Sequence, residues 1–165
     1  MTKIKIRKSM KLEIILPPEA SRSPNKSIGR SFWVYKNHKD KCAKWLSEWE
    51  AKQTFTSNAG SDNNFLGIAK AKFVTRELDL WKECVKRDQP FIELTIIGHG
   101  CRPKDPDNLV SGCKAIIDQL RYAGYLIDDN PTALTIVVES AKVAHRKDEK
   151  LILQLETIES EKEGN

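Results

Sequence analysis

Apolar positions recur along this chain with two periods, and the switches between them mark out its elements. Over residues 36–53, Cys42, Trp45, Leu46 and Trp49 return at steps of three and four, with lysines and glutamates between them. That spacing predicts an amphipathic helix whose tryptophans pack in a core. Residues 107–122 repeat the pattern more strictly: Leu109, Cys113, Ile116, Ile117 and Leu120 make one stripe, and Gly124 follows where a helix ends on a left-handed residue. Asp107, Ser111, Lys114, Asp118 and Arg121 then share the opposite, solvated side. Residues 75–87, with Leu78, Leu80, Trp81 and Val85, predict a further helix. Short β-rich runs predict strands over 12–16, 65–73, 90–97, 132–143 and 150–158. Pro17-Pro18, Gly98-His99-Gly100 and the charged turn 145–149 punctuate them, and 19–31 and 60–64 read as loops.

Length and composition predict one compact domain over residues 1–165, with a basic leader (1–10) and a tail (159–165) as flexible ends. A 39% apolar content supplies one modest core and leaves little for a second. The 28 Lys and Arg against 23 Asp and Glu give +5, which suits a polyanionic partner without demanding one. Cys42, Cys84, Cys101 and Cys113 are too dispersed for a zinc site or a Cys-x-x-Cys redox pair, so they read as buried thiols. With no signal peptide and no membrane span in view, the expectation is a cytoplasmic protein without a membrane partner.

Candidate chemistry concentrates around the 107–122 helix. Asp105-Pro106-Asp107-Asn108 stands where a strand hands over to that helix, and Asp107 or Asn108 suits the helix cap. Capping accounts for one acid. It does not account for a second acid two residues earlier, nor for Asp128-Asp129 in the next connection. If the helix folds back on its strand, Asp105, Asp107 and Asp129 converge, and such a cluster needs a cation; hard oxygen ligands favour Mg²⁺, with Mn²⁺ able to substitute. Beside Arg102, Lys104 and Lys114 that site suits phosphodiester hydrolysis, with a lysine offsetting charge on the phosphorane or leaving oxygen.

Taken in order, Asp105-x-Asp107-Asn108-Leu109, Lys114, Asp118, Gly124 and Asp128-Asp129 resemble the RusA-type Holliday-junction resolvases, with weaker support from Pro17-Pro18 and Ser23-Pro24-Asn25. The resemblance covers the last two-thirds of the chain well and the first third loosely. It implies a compact α+β fold, a mixed β-sheet packed by helices, in a RusA-like homodimer that binds four-way DNA junctions and resolves them by paired Mg²⁺-dependent nicks in recombination and repair. It also implies catalytic carboxylates at Asp105, Asp107 and Asp129, which hold the metal, an essential lysine at Lys114, and a structural role for Asp118. Arg22, Asn25, Lys26 and Arg30 in the basic loop would then meet DNA together with Arg102 and Lys104, although composition alone favours a solvated connection for that loop. One departure stands out: Lys114 lies six residues after Asn108, where the family pattern has three. Two rivals remain, a nucleic-acid-binding protein that keeps the fold without the chemistry, and a metal-dependent nuclease for other branched DNA.

Overall fold

In the computed structural model the chain is described over residues 9–22, 32–55 and 65–158. Four strands and three long helices alternate there: β1 (Lys11–Leu16), α1 (Phe32–Phe55), α2 (Phe65–Asp88), β2 (Phe91–Gly100), α3 (Pro106–Tyr122), β3 (Leu134–Lys142) and β4 (Lys150–Ile158), with 3-10 turns at Pro18–Ser21 and Arg146–Asp148. The strands form one sheet in the order β1-β4-β2-β3. β4 pairs antiparallel with both neighbours, while β2 and β3 run parallel through α3. The expected α+β fold with a mixed sheet is what forms. No described helix is long and apolar enough to cross a membrane.

Period-two patterning sets which sheet face is covered. Ile14, Leu16, Ile92, Leu94, Ile96, Leu134, Leu151, Leu153 and Leu155 are buried, and the alternate residues Glu13, Ile15 and Gln154 are exposed. Each such side chain contributes about 1.5–3 kcal/mol on leaving water. From the helices come Cys42, Leu46 and Trp49 of α1, Leu78, Trp81 and Val85 of α2, and the whole predicted stripe of α3. Trp81 satisfies its buried indole N–H by donating to the Tyr125 carbonyl at 3.0 Å. The Tyr125 hydroxyl bonds Glu50, whose carboxylate also receives Lys82 Nζ at 2.9 Å. Burial and that carboxylate together raise the Tyr125 pKa. Gly98 lets β2 pass close under α3, since a Cβ there would lie 2.9 Å from Leu109 Cδ2.

The end of α3 follows the sequence expectation. Gly124 has φ +83°, Gly124 N–H reaches Arg121 O at 3.1 Å and Tyr125 N–H reaches Leu120 O at 2.9 Å, a Schellman closure. Two expectations are corrected. Residues 65–73 are the opening turns of α2, not a strand. Ala69, Lys70, Ala71 and Lys72 are good helix formers, and adding turns to an existing helix avoids a new nucleation cost. Asp118, placed by periodicity on the solvated side, is only 8% exposed. α3 is covered on two sides, by the sheet and by α1, and Asp118 faces α1, where Lys39 Nζ sits 2.8 Å and Tyr35 Oη 3.3 Å from its carboxylate.

Candidate functional site

Between Gly100 and α3 the chain crosses residues 101–105, which carry Arg102, Lys104 and Asp105, and three tertiary contacts hold this loop. Cys101 N–H donates to Glu149 Oε1 at 2.9 Å, a bond that also keeps the Glu149 carboxyl below its usual pKa. The Lys104 carbonyl accepts from Ser140 Oγ at 2.6 Å. Lys104 Nζ donates to the Ser21 carbonyl at 2.7 Å and to Ser21 Oγ at 2.9 Å. Ser21 is buried, and its hydroxyl donates in turn to Pro18 O. The Lys104 ammonium, expected to face DNA, is thus engaged in tying the loop to the turn after β1.

At the start of α3 the N-cap residue is Asp105, with φ −61° and ψ 146°, rather than Asp107 or Asn108. Pro106 takes the first helical position, which needs no N–H donor, and Leu109 N–H makes the first helical bond to Asp105 O at 3.0 Å. The amides of Asp107 and Asn108 precede that bond and have no carbonyl partner within the helix. The Asp105 side chain makes no capping hydrogen bond, and both Asp105 and Asp107 are exposed. Capping therefore uses neither carboxylate. Arg22, Lys104, Asp105, Asn108 and Ser111 line an open cleft of about 910 Å³, together with Glu19 and Glu149. Its charge is mixed: a guanidinium and an ammonium face three carboxylates.

Asp128 and Asp129 occupy the other end of α3. Asp128 accepts the Asp129 N–H at 2.8 Å and Asn130 Nδ2 at 2.6 Å, and those bonds lower its pKa. Asn130 turns the chain further by receiving Thr132 N–H at 3.0 Å. Asp129 is the less engaged of the pair, exposed and 3.5 Å from Arg121. Arg121 lies fourteen residues beyond Asp107 on one helix, so at 1.5 Å per residue about 21 Å of axis separates them. Convergence of Asp129 with Asp105 and Asp107 is conditional on α3 folding back on its strand. Because β3 runs parallel to β2, α3 instead spans the sheet, and its two ends stay apart. Among the described residues, no three or more His, Cys, Asp or Glu side chains gather closely enough to hold a metal ion.

Lys114 is exposed on α3, seven residues after Asp107 and so nearly above it, about 10.5 Å further along the axis. Arg102 is exposed and borders a smaller pocket with His99 and Lys150. Asn25, Lys26 and Arg30 lie outside the described residues. The chain thus gathers Arg22, Lys104 and Asp105 at one cleft and sets Asp129 and Lys114 apart from it. Sequence reasoning missed Ser21, Ser140 and Glu149, which position the loop from 36 to 83 residues away. No local pattern marks such partners. Comparison with family models and with curated proteins finds no match for this chain.

Proposed function

We propose that this protein is a Mg²⁺-dependent endonuclease for branched DNA, four-way junctions above all, whose active site is completed by a second copy of the chain. The observation that carries the reading is the pair of exposed carboxylates at the start of α3, Asp105 and Asp107: Asp105 makes no capping bond, and neither acid has a salt bridge among the described residues. Mg²⁺ keeps several waters and asks a protein for one or two carboxylates, and this donor set fits that demand better than it fits zinc. When bound, the metal supplies Lewis-acid charge at the scissile phosphate. The chain's own part is to present Asp105 and Asp107 as ligands on a loop fixed by Glu149, Ser140 and Ser21. It also offers the first-turn amides of Asp107 and Asn108, which have no carbonyl partner within the helix, to phosphate oxygens and places Arg22 and Arg102 near the flanking backbone. Asp129, about 20 Å away along α3, joins from the partner. The same separation favours a second reading, a protein that binds branched DNA without cutting it.

A complementation experiment tests the proposal. Asp105→Asn, Asp107→Asn and Asp129→Asn each abolish nicking of a synthetic four-way junction in Mg²⁺. In a mixed dimer of Asp107→Asn with Asp129→Asn, both lesions fall in one composite site and the other site is intact. Random exchange makes half the dimers mixed, so the mixture regains about one quarter of wild-type nicking, all of it single cuts. No recovery on mixing places the three acids in one chain, against the composite site. A wild-type protein that binds junctions yet never nicks them in Mg²⁺ or Mn²⁺ overturns the enzyme reading in favour of the binding protein.

A further inference from the structure

Two recesses share a wall at the C-terminal end of β2, and their charges differ in sign. Pro18, Ser21, Lys104 and Glu149 border both. The larger is the open cleft, in which two cations, Arg22 and Lys104, meet three carboxylates, Glu19, Asp105 and Glu149. The smaller is a pocket of about 90 Å³ with His99, Arg102, Lys104 and Lys150 in its lining and Glu149 as its one carboxylate. Three cations against one carboxylate leave that pocket a formal +2, before any charge on the imidazole.

The ladder and a tight reversal of the chain assemble these cations. His99 and Lys150 are direct partners between β2 and β4, so their side chains are neighbours on one face of the sheet. Beyond β2 the chain turns back at once: a Cβ on Gly100 would lie 3.2 Å from the Arg102 carbonyl oxygen, which keeps Arg102 at the same end of the strand. Gly98 and Leu109 supply apolar lining. The Glu149 carboxylate already accepts Cys101 N–H at 2.9 Å, and Lys104 Nζ is turned to Ser21. Arg102 and Lys150, by contrast, have no salt bridge among the described residues. Sites that enclose whole drug-sized molecules run to about 300–1,000 Å³, so this pocket takes a small charged group rather than a nucleoside.

We propose that the pocket binds one terminal phosphate group, as a phosphomonoester or as orthophosphate, with oxygens accepting from Arg102, Lys150 and His99. Such a group carries a charge of about −1.5 to −2 at pH 7, which matches the lining. A phosphodiester fits less well, since it has a single charge and a nucleoside on either side. The planar fork of Arg102 suits two phosphate oxygens at once, and Lys150 acts as a point charge. The assignment goes beyond the reading of Asp105 and Asp107 as metal ligands and does not need it. Where both hold, the phosphorylated end of a DNA strand lodges beside the carboxylate cleft, with Lys104 and Glu149 between the two.

An NMR titration tests the site, with sodium phosphate compared against sodium chloride at equal ionic strength. Phosphate should shift the backbone amides of His99, Gly100, Arg102 and Lys150 and leave those of Asn130 and Thr132, on the far loop, in place. Lys150→Gln and Arg102→Gln should each weaken phosphate binding about tenfold or more, with the remaining spectrum unchanged as proof of folding. Arg22→Gln, which alters only the cleft, should leave phosphate binding as it is. The source of the phosphate is read from short DNA strands without divalent metal, phosphorylated at each end in turn and compared with the same strand ending in hydroxyls. A preference for a phosphorylated end that disappears in Lys150→Gln assigns the pocket to strand ends. Equal binding of all strands, with phosphate still shifting the same amides, keeps the pocket and assigns it to the free ion. No shift on adding phosphate, shifts spread over the whole basic surface, or an affinity indifferent to both pocket substitutions overturns the proposal. A protein that binds phosphate here and nicks no DNA keeps the pocket and loses the nuclease reading.

Discussion

Asp118→Asn keeps the size of a buried side chain and removes its charge, which isolates what the Lys39–Asp118 pair contributes where α1 crosses α3. Lys39 Nζ lies 2.8 Å from the carboxylate and Tyr35 Oη 3.3 Å, with the Asp118 side chain 10% and the Lys39 side chain 27% exposed. A hydrogen bond to a charged group contributes about 1.5–3 kcal/mol. Lys39 can turn part-way to water in the variant, and asparagine still accepts from Tyr35, so a loss of about 1–2 kcal/mol is expected. With a urea m-value of about 2 kcal/mol/M, the midpoint should fall by about 0.5–1 M. Lys39→Met is expected to cost more, about 2–3 kcal/mol, because it leaves a carboxylate buried without its cation. The double variant should recover part of that loss. The hydrogen bond to Asp118 is the main cause holding the Lys39 pKa above its ordinary 10.5. The pair's contribution is therefore complete below pH 10.5 and is lost as pH rises through the higher folded value. A midpoint shift under about 0.2 M for Asp118→Asn at pH 7, with an unchanged m-value, would refute the account of Asp118 as a buried clamp.

Other consequences are checked as directly. Gly98→Ala forces Leu109 from its place under α3, so a loss of about 1–3 kcal/mol in chemical denaturation is expected, and weaker nicking if the Asp105–Asp107 turn moves with the helix. Burial holds the His38 pKa below 6.5, with Lys41 and Arg22 adding to the effect; folding stability should fall as pH drops through 6.5 towards the folded value, and His38→Gln should flatten that slope in thermal melts. Burial pushes the Cys42 and Cys113 thiols up to about 12, so at pH 8 neither should react with a thiol reagent until the chain unfolds. Charge reversal at Arg22 or Arg102 should lower the salt slope of junction binding by about one, whereas Lys104→Ala should lower stability more than it changes that slope, since its ammonium bonds Ser21.

Much of the fold is legible because its causes are local. The α3 stripe and the Gly124 closure follow from side-chain spacing and a single left-handed residue, and β4 has the bounds its alternation predicts. Where neighbours decide, the sequence is silent. Asp118 lies opposite Leu109 on a helical wheel, yet α1 covers it, and nothing near residue 118 announces a lysine 79 positions earlier. The first turns of α2 carry an apolar spacing compatible with either period, and continuity with the helix behind them settles the matter. The acids Asp105, Asp107 and Asp129 are conspicuous in the chain, but their spatial relation depends on strand direction. A parallel β2–β3 pair sends the two loops to opposite ends of α3, whereas the sequence is equally compatible with an antiparallel return.

The strand order also bears on how the chain acquires its shape during synthesis. Among the described strands β4 is the last to be made, yet it lies between β1 and β2 and supplies the only strand partner of β1 among them. From Leu16 to Lys150 the ribosome adds 134 residues, which at about 5–20 residues per second leaves β1 without that partner for roughly 7–27 s. Through that interval no other described strand pairs with β1, and of the described sheet at most the parallel pair β2 and β3 has formed. A nascent chain with unpaired apolar strand residues exposes the kind of surface that holding chaperones cover. A messenger cut short within β4 would yield two disconnected halves of a sheet rather than a smaller version of the protein.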